Sequence, residues 1–181
     1  NFGLAAGELR GARTGEWMAT TGGEPHQFRR PCLLASDSER AQIAYQNLID
    51  QHDWASLDEA DSAVVLGGDG FMLQTLHEML DSGRIIPAFG MNLGTVGFLM
   101  NRYTPKMDVL GRLNRAKHKA IAPLRIEAVT QQGERHSLCA INELSILRET
   151  RQTAKIEVTV GSRVRIRELV CDGVLVATPA G

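Results

Sequence analysis

The sequence predicts an α/β layer followed by an antiparallel β-rich region, and three observations carry this prediction. Short apolar runs alternate with amphipathic helical patterns over residues 31–122, as expected for strands that pair in parallel. From about Pro123 the apolar residues alternate one by one, as in antiparallel strands. Glycine-rich loops follow two of the predicted parallel strands, at the edge of the sheet where ligands bind.

The predicted α/β part opens with a short buried strand at Leu33 and Leu34. Ser36 and Glu39 have the spacing of an S-x-x-E capping box, so we expect a helix to start there. Apolar residues at helical spacing continue that helix, namely Ala41, Ala44, Tyr45 and Leu48. The apolar run at residues 64–66 then predicts a second buried strand.

The second predicted helix follows the glycine-rich stretch at residues 67–70. Its apolar residues lie on one helical face: Met72, Leu76, Met79 and Leu80. We expect Gly83 to end this helix, because glycine readily adopts the left-handed conformation that closes many helices. The run RIIPAFG, at residues 84–90, predicts the third strand of the sheet.

The β-rich part, residues 123–181, is predicted to consist of antiparallel strands. In LRIEAVTQQGERHSLCAINELSIL the strands flank a Gln-Gln-Gly turn, and Gly161-Ser162 is a two-residue turn signal. Around that second turn the apolar residues fall on one strand face: Ile156, Val158, Val160, Val164 and Ile166. The last strand, in GVLVATPAG, has no clear partner or cap, so we expect the chain to be truncated.

The composition argues against several classes of partner. A formal net charge of −1 over 181 residues gives no reason to expect nucleic acid or an anionic membrane. No apolar stretch approaches the roughly 20 residues that span a bilayer. The N-terminus lacks the pattern of a signal peptide. These features predict a cytoplasmic protein with no nucleic-acid or membrane partner.

The cysteines predict reduced thiols. Cys32, Cys139 and Cys171 are far apart in the sequence and set in apolar surroundings. An odd number argues against a complete disulfide framework, and no Cys-x-x-Cys pattern is present. We therefore expect three buried free thiols, none of which is a metal ligand.

Residues 1–30 differ from the rest, because they contain many glycine and polar residues and little periodicity. They are predicted to be a mobile or disordered extension, or a sequence that is not native to the fold. The predicted organisation is therefore an extension at residues 1–30, an α/β domain at 31–122 and a β-rich domain at 123–181.

The loop Gly67-Gly68-Asp69-Gly70 lies between the second strand and a helix. Glycines let the backbone approach a ligand closely, and the N–H groups of the following helix can bind phosphate oxygens. A carboxylate repels free phosphate, so Asp69 is a candidate to accept the proton of an attacking hydroxyl or to help hold Mg²⁺ on phosphates. The alternative is a plain Asp-Gly turn with Asp69 as the helix cap.

The loop GMNLGTVGFLMN directly follows the third predicted strand. Gly94 and Gly97 are spaced to bend the chain over a ligand. Phe98 is then a candidate to stack on a base, and the alternative for this side chain is a place in the core.

Two polar sites in the β-rich part are further candidates. Asn142 and Glu143 form a polar pair inside an apolar run, which suits ribose hydroxyls or, alternatively, a solvent-facing strand end. Asp172 precedes an apolar strand, where it can bind an amide or hydroxyl or simply start a turn. Residues 178–181 form either a backbone loop against a ligand or another turn.

These four elements, in this order, resemble the motifs of the NAD kinase family. The elements are the Gly-Gly-Asp-Gly loop at 67–70, the Asn-x-Gly-x-x-Gly-Phe loop at 92–98, the Asn142-Glu143 pair and the Asp-Gly…Ala-Thr-Pro-x-Gly run at 172–181. The details GGDGFMLQTL, GTVGFLMN and DGVLVATPAG are most similar to the alphaproteobacterial branch. A lone GGDG also occurs in lipid kinases and phosphofructokinases, whereas the series of four is specific. The resemblance covers about residues 31–181.

The resemblance implies an N-terminal Rossmann-like three-layer α/β domain followed by an incomplete antiparallel β-rich domain, a β-sandwich. It implies an ATP-dependent NAD kinase that transfers the γ-phosphoryl of ATP to the 2′-hydroxyl of the adenosine ribose of NAD. The reaction would use a divalent metal ion such as Mg²⁺ and give NADP. The family also implies a homo-oligomer for the full-length protein.

The resemblance also implies residue roles. Asp69 would be the general base, with Gly68 and Gly70 lining the same site, and Phe98 would pack near the adenine. The remaining implied contacts are ribose hydroxyls for Asn142 and Glu143, the nicotinamide end for Asp172 and the backbone for Ala180. No residue is assigned as a metal ligand.

Two departures from the family pattern limit what the resemblance implies. The Ser-Thr-Ala-Tyr continuation after Gly181 is absent, so we expect part of the acceptor site to be missing and the chain by itself to be inactive or unstable. Ala180 replaces the Thr often found at that position. Two alternatives stay open: another kinase of the superfamily that acts on a lipid or sugar, and a non-catalytic nucleotide-binding fragment.

Overall fold

The computed structural model describes residues 4–5, 27–94, 97, 99–117 and 119–181. These residues form two compact units. The α/β unit contains the described residues 27–119, and the β unit contains Ala120–Gly181 together with the strand Leu4–Ala5. In chain order the elements are β1 (Leu4–Ala5), β2 (Pro31–Ala35), α1 (Glu39–Ile49), β3 (Ser62–Gly67), α2 (Asp69–Ser82), β4 (Ala88–Asn92), β5 (Asn101–Arg102), α3 (Val109–Arg115), β6 (Leu124–Thr130), β7 (Arg135–Ala140), β8 (Glu143–Leu147), β9 (Ala154–Val160), β10 (Arg163–Cys171) and β11 (Gly173–Ala177).

Four parallel strands form the sheet of the α/β unit, in the order β2-β3-β4-β5. The central strand β3 is buried along its whole length, as its uninterrupted apolar run predicts. Its side chains alternate between the two faces: Val64 and Leu66 pack with α1 and α3, whereas Ala63 and Val65 pack with α2. The prediction of an α/β layer with a parallel sheet is confirmed.

The predicted capping box is wrong by two residues. Ser38 caps α1, because its hydroxyl accepts a hydrogen bond from the N–H of Ala41 at 3.4 Å. Ser36 instead extends the strand ladder, donating its N–H to the Leu66 carbonyl at 2.9 Å. The backbone pairing of β2 with β3 therefore continues past the end of β2 and delays the start of the helix.

Helix α2 ends where the sequence predicts, whereas the next strand begins later than predicted. Gly83 ends α2 with φ 71°, a left-handed conformation that glycine adopts without a Cβ clash. Strand β4 begins at Ala88 rather than at Arg84. Arg84 lies before the ladder, and its guanidinium donates to the backbone carbonyls of Leu57 and Ala60.

All strand pairs described in the β unit are antiparallel, as the alternation of apolar residues predicts. The turns between β6 and β7 and between β9 and β10 contain Gly133 and Gly161, whose φ angles are 86° and 62°. Both predicted turns are therefore confirmed. Strand β11 pairs with β8, so the expectation that the last strand has no partner is wrong.

The apolar face predicted around β9 and β10 is not covered by other described residues. Val160, Val164 and Ile166 are 60%, 48% and 41% exposed. Two register shifts in β10 also interrupt the regular alternation. A sheet face is buried only when a second layer packs on it, and the described part of the chain supplies none here.

The prediction that all three cysteines are buried is wrong. Cys32 lies inside β2, where burial raises the pKa of its thiol. Cys139 is exposed and Cys171 is half-buried, because each lies in a strand of the β unit that is not covered on both faces. None of the three forms a disulfide.

The structure describes two short parts of residues 1–30. The strand Leu4–Ala5 pairs with β6, and at residues 27–30 the N–H of Phe28 donates to the side chain of Asn114 at 2.9 Å. The rest of the predicted extension lies outside the described residues. None of the helices that the structure describes combines the length and apolar character needed to cross a bilayer.

Candidate functional site

Three loops lie side by side at the carboxyl edge of the parallel sheet. They follow β2, β3 and β4, which end at Ala35, Gly67 and Asn92. The ladder again continues past the strands, because the N–H of Leu93 donates to the Gly67 carbonyl at 3.0 Å. This edge is where ligands bind in open α/β sheets.

A cleft of about 310 Å³ opens between these loops. Hydroxyl groups, one guanidinium and glycine backbone line it, from Ser36, Ser38, Arg40, Gly67, Gly68 and Gly94 among others. The two hydroxyl oxygens are 3.1 Å apart, and the guanidinium of Arg40 contacts the Leu93 carbonyl at 3.5 Å. The cleft therefore offers hydrogen-bond donors and the positive charge of Arg40 beside glycine backbone, and Glu39 adds a carboxylate to the same lining.

The sequence reasoning did not identify Ser36, Ser38 or Arg40 as site residues. Their position was the available signal, because the residues between the first parallel strand and its helix reach the same sheet edge as the glycine loop. The assignment of Ser36 to a capping box hid that signal.

Asp69 is the first residue of α2, and the cap position belongs to Gly68. The carboxylate of Asp69 reaches the loop after β4, where its Oδ1 accepts a hydrogen bond from the N–H of Leu99 at 3.3 Å. The interpretation of Asp69 as the helix cap is therefore wrong. A carboxylate in the first turn still interacts favourably with the helix dipole.

Gly97 lies against the same carboxylate. A Cβ built on Gly97 would overlap Oδ1 of Asp69 and lie 3.1 Å from Nδ2 of Asn92. The side chain of Asn92 also shapes the start of this loop, because its Oδ1 accepts the N–H of Gly94 at 2.8 Å. Residues from two separate loops therefore meet at Asp69.

The neighbours of Asp69 leave space around it. At Gly68 and at Gly70 no heavy atom of a described residue lies within 4 Å of the place where a Cβ would stand, apart from chain and helix neighbours. A ligand can therefore approach the backbone on either side of Asp69. Phe98, the candidate for adenine packing, lies outside the described residues.

In the β unit, several candidate residues come together at one end of the β8–β11 pair. Glu143 opens β8 opposite Ala177, the last residue of β11. The N–H of Thr178 donates to the Asn142 carbonyl at 2.7 Å, and the N–H of Ala180 donates to the Thr178 hydroxyl at 3.1 Å. The Asn-Glu pair and the loop at residues 178–181 thus share one short segment of backbone hydrogen bonds.

Oδ1 of Asn142 is buried and has no hydrogen-bond partner among the described residues. Leaving a buried polar atom unpaired costs about 1–3 kcal/mol. Such atoms are rare in native proteins, and each calls for a group that completes it. This oxygen is an acceptor suited to a ligand donor such as a hydroxyl.

Asp172 lies at the other end of the same strand pair. It directly precedes β11, whose first residue, Gly173, pairs with Leu147 at the end of β8. Its exposed carboxylate accepts a hydrogen bond from Nε of Arg148 at 2.5 Å. At about 3.3 Å per residue, the strands separate Asp172 from Glu143 by roughly 15 Å, so the structure does not bring these two candidates together.

The donor set at the sheet edge bears on the Mg²⁺ ion that the family resemblance implies. Among the residues that the structure describes, no three His, Cys, Asp or Glu side chains are grouped closely enough to hold a metal ion. Mg²⁺ commonly keeps several waters and binds through one or two carboxylates together with substrate phosphates. Asp69 fits such a shared, substrate-borne ion, whereas the donors among the described residues do not by themselves make a metal site.

Comparison with known proteins finds relatives of named function, although no family model matches the chain. It is 57% identical to the NAD kinase of Rhizorhabdus wittichii over 84% of this chain and 59% of that protein. It is 54% identical to the NAD kinase of Zymomonas mobilis, over 86% of this chain and 60% of that protein. It is 45% identical to the NAD kinase of Caulobacter vibrioides, over 87% of this chain and 60% of that protein. The chain spans about three fifths of the length of these curated relatives.

Proposed function

We infer that this chain, a member of the NAD kinase family by its identity to these relatives, carries the phosphoryl-transfer site and part of the NAD site of an ATP-dependent NAD kinase. The enzyme would transfer the γ-phosphoryl of ATP to the 2′-hydroxyl of the adenosine ribose of NAD, with NADP as the product. Identities of 45–57% over more than four fifths of the chain support this proposal.

The single observation that carries the mechanism is the position of the Asp69 carboxylate. Phosphoryl transfer depends on positioning and charge neutralisation, and a carboxylate beside the acceptor hydroxyl can take its proton as the new P–O bond forms. The carboxylate of Asp69 accepts the N–H of Leu99, and the described residues leave the backbone on either side of it, at Gly68 and Gly70, uncovered. We assign Asp69 the role of general base.

We assign the cleft beside this loop to the phosphates of ATP. The hydroxyls of Ser36 and Ser38, the guanidinium of Arg40 and the N–H groups at the start of α1 and α2 are donors suited to phosphate oxygens. A Mg²⁺ ion that arrives with ATP would be held by the phosphates and Asp69, and would neutralise charge on the transferred group.

The β unit would bind NAD. Asn142 has a buried acceptor without a partner among the described residues, and the carboxylate of Glu143 can accept two hydrogen bonds, so both suit ribose hydroxyls. The backbone at Ala180 would contact the ligand beside them. Asp172 is proposed for the nicotinamide end, and Phe98 for the adenine.

The finer architecture follows the same proposal. Residues 31–122 would form a Rossmann-like three-layer domain, and residues 123–181 would contribute to a β-sandwich that binds NAD. The full-length protein would be a cytoplasmic homo-oligomer.

The test is an assay for NADP formation on the protein expressed from its whole reading frame. ATP is the donor, and NAD, glucose and diacylglycerol are offered together as acceptors. NADP as the sole phosphorylated product supports the proposal. Phosphorylated glucose or diacylglycerol without NADP indicates a different kinase, and NAD binding without any product indicates a non-catalytic module.

A further inference from the structure

We propose that Gly97 is a positioning residue for Asp69, and that residue 97 is glycine because the Asp69 carboxylate occupies the place of a side chain. The inference rests on the proposed function, in which Asp69 is the base. It extends that function to the loop after β4, which would hold the base in its working position.

The space at Gly97 does not admit a side chain. A Cβ built there would overlap Oδ1 of Asp69, lie 3.0 Å from its Cγ and lie 3.1 Å from Nδ2 of Asn92. Real Cβ atoms essentially never approach other heavy atoms more closely than 3.0 Å. A side chain at residue 97 would therefore displace the loop or the carboxylate.

Backbone conformation does not explain this glycine. Among the described glycines, positive φ angles occur at Gly83, Gly133 and Gly161, and Gly97 is not one of them. A left-handed backbone therefore does not account for the glycine at residue 97. The requirement is one of space beside the carboxylate.

The close approach of Gly97 also governs the hydrogen bond that holds Asp69. The donor, the N–H of Leu99, lies two residues farther along the same loop and 3.3 Å from Oδ1 of Asp69. A loop pushed outward at residue 97 carries this N–H away from the carboxylate. The carboxylate then loses one of the contacts that orient it toward an acceptor hydroxyl.

The chain offers a matched control at Gly90, in β4. A Cβ at Gly90 would meet Cε of Met72 at 2.6 Å and Cγ of Met100 at 2.9 Å. Gly90→Ala and Gly97→Ala thus both overcrowd the same unit, although the shortest contact at Gly90 is with the flexible end of Met72. The first collides with methionine side chains, and the second collides with the carboxylate of Asp69.

The first experiment is a double-mutant cycle on thermal unfolding, in the protein expressed from its whole reading frame. We expect Gly97→Ala to lower the Tm by about 2–8 °C in the wild type and by much less when Asp69→Ala has removed the colliding carboxylate. Gly90→Ala should lower the Tm equally in both backgrounds. Equal effects of Gly97→Ala in the two backgrounds would overturn the steric relation to Asp69.

The second experiment measures NADP formation by the same variants. Gly97→Ala should lower kcat by about 10²-fold, the cost of misplacing a reacting group by roughly 1 Å, while the KM values for NAD and ATP stay within about twofold. A Gly97→Ala protein with wild-type kcat would overturn the positioning role. A wild-type protein that forms no NADP would overturn the proposed function and with it the catalytic role, and the Tm cycle would still decide the steric relation.

Discussion

The carboxylate of Asp69, at the start of α2, accepts a hydrogen bond from the backbone N–H of Leu99, which lies thirty residues later in the chain. This bond joins two loops that follow neighbouring strands of the parallel sheet. An acidic residue at a helix start commonly serves its own helix, whereas Asp69 is tied to the next loop. The proposed reaction needs such an arrangement, because a base must be held in place beside the hydroxyl that it deprotonates.

Asp69→Asn is expected to keep NAD binding and to lose most turnover. The amide has nearly the same shape and can still accept the N–H of Leu99, but it cannot take a proton from the ribose hydroxyl. We expect kcat to fall by about 10²–10⁴-fold, the usual contribution of a general base, with little change in the Kd for NAD. Rates of NADP formation and equilibrium NAD binding measure the two effects.

Asp81→Asn is the matched control for this substitution, because Asp81 is an exposed carboxylate near the end of the same helix. It should leave both kcat and NAD binding unchanged. An Asp69→Asn protein with near-normal kcat would remove Asp69 from the role of base.

Asn142→Ala is expected to weaken NAD binding without destabilising the free protein. Oδ1 of Asn142 is buried and has no hydrogen-bond partner among the described residues. Removing this oxygen therefore breaks no hydrogen bond with them. In the complex the variant loses a bond to a ribose hydroxyl, worth about 1–3 kcal/mol or roughly 5–150-fold in Kd. Calorimetric titration with NAD and urea unfolding of the free protein measure the two quantities.

Thr178→Val, next to Asn142 in the structure, is expected to lower the stability of the free protein. The hydroxyl of Thr178 is buried and donates to the Ile141 carbonyl at 2.5 Å, so its loss should lower the free energy of unfolding by about 1–3 kcal/mol. An Asn142→Ala protein that loses stability in the same way and binds NAD normally would contradict a ligand role for Asn142.

The parts of the fold that were predictable from the sequence depend on short-range chemistry. A strand buried on both faces reads as a nearly continuous apolar run, as at residues 63–66 of β3. Gly83 and Gly161 could be recognised as a helix end and a turn because their left-handed backbone suits glycine. Each of these features is decided by a few neighbouring residues.

The features that were not predictable depend on distant residues. The exposure of Cys139 and of Val164 follows from whether another layer covers their strands, which an alternating pattern does not reveal. The inclusion of Arg40 in the cleft and the bond between Asp69 and Leu99 follow from the meeting of loops at the sheet edge. Sequence motifs located the candidates, and the parallel pairing of the strands determined which of them lie together.

Asp61 is expected to make the stability of the α/β unit depend on pH. Burial alone would raise the pKa of Asp61, but hydrogen bonds from the N–H groups of Arg29 and Arg30 and from the Ser62 hydroxyl outweigh it, so the pKa is lowered. A carboxyl group with a lowered pKa contributes stability above its unfolded value of about 3.9. That contribution is lost as the pH falls through the folded value.

We therefore expect Asp61→Asn to lower the free energy of unfolding by about 1 kcal/mol at neutral pH, a modest value because these bonds are near solvent. The difference from the wild type should shrink as the pH falls below about 4. Urea unfolding between pH 7 and pH 3 measures it, with the exposed Asp58→Asn as the control. A difference that stays constant over this range would contradict the role of the charged carboxylate.

Gly83→Ala is expected to destabilise α2 through the backbone alone. At Gly83 no heavy atom of a described residue lies within 4 Å of the place of a Cβ, apart from chain and helix neighbours, but φ is 71°. A left-handed conformation costs a non-glycine residue roughly 1–2 kcal/mol. Chemical unfolding should show this loss for alanine and a smaller one for Gly83→Asn, since asparagine tolerates the conformation better. Equal losses for the two variants would mean that crowding, not φ, sets the cost.

Arg40→Gln tests whether the cleft holds the phosphates of ATP. Arg40 is exposed at the start of α1 and lines the cleft, so its guanidinium is free to swing onto a phosphate at the cost of one 3.5 Å contact with a backbone carbonyl. A charge-assisted hydrogen bond to phosphate is worth about 1.5–3 kcal/mol, so the KM for ATP should rise by about 10–100-fold while the KM for NAD stays the same. Inorganic tripolyphosphate should compete with ATP in the wild type and much less in the variant.

The matched control is Arg115→Gln, in α3. Arg115 makes an exposed ion pair with Asp108 at 3.7 Å, and such pairs contribute at most about 1 kcal/mol. This variant should therefore keep both KM values. If Arg40→Gln instead raised the KM for NAD, the cleft would belong to the acceptor. Arg115 does not line the cleft, whereas Arg40 does. If both variants raised the KM for ATP equally, the effect would therefore come from the overall charge of the protein, and a phosphate role for Arg40 would be contradicted.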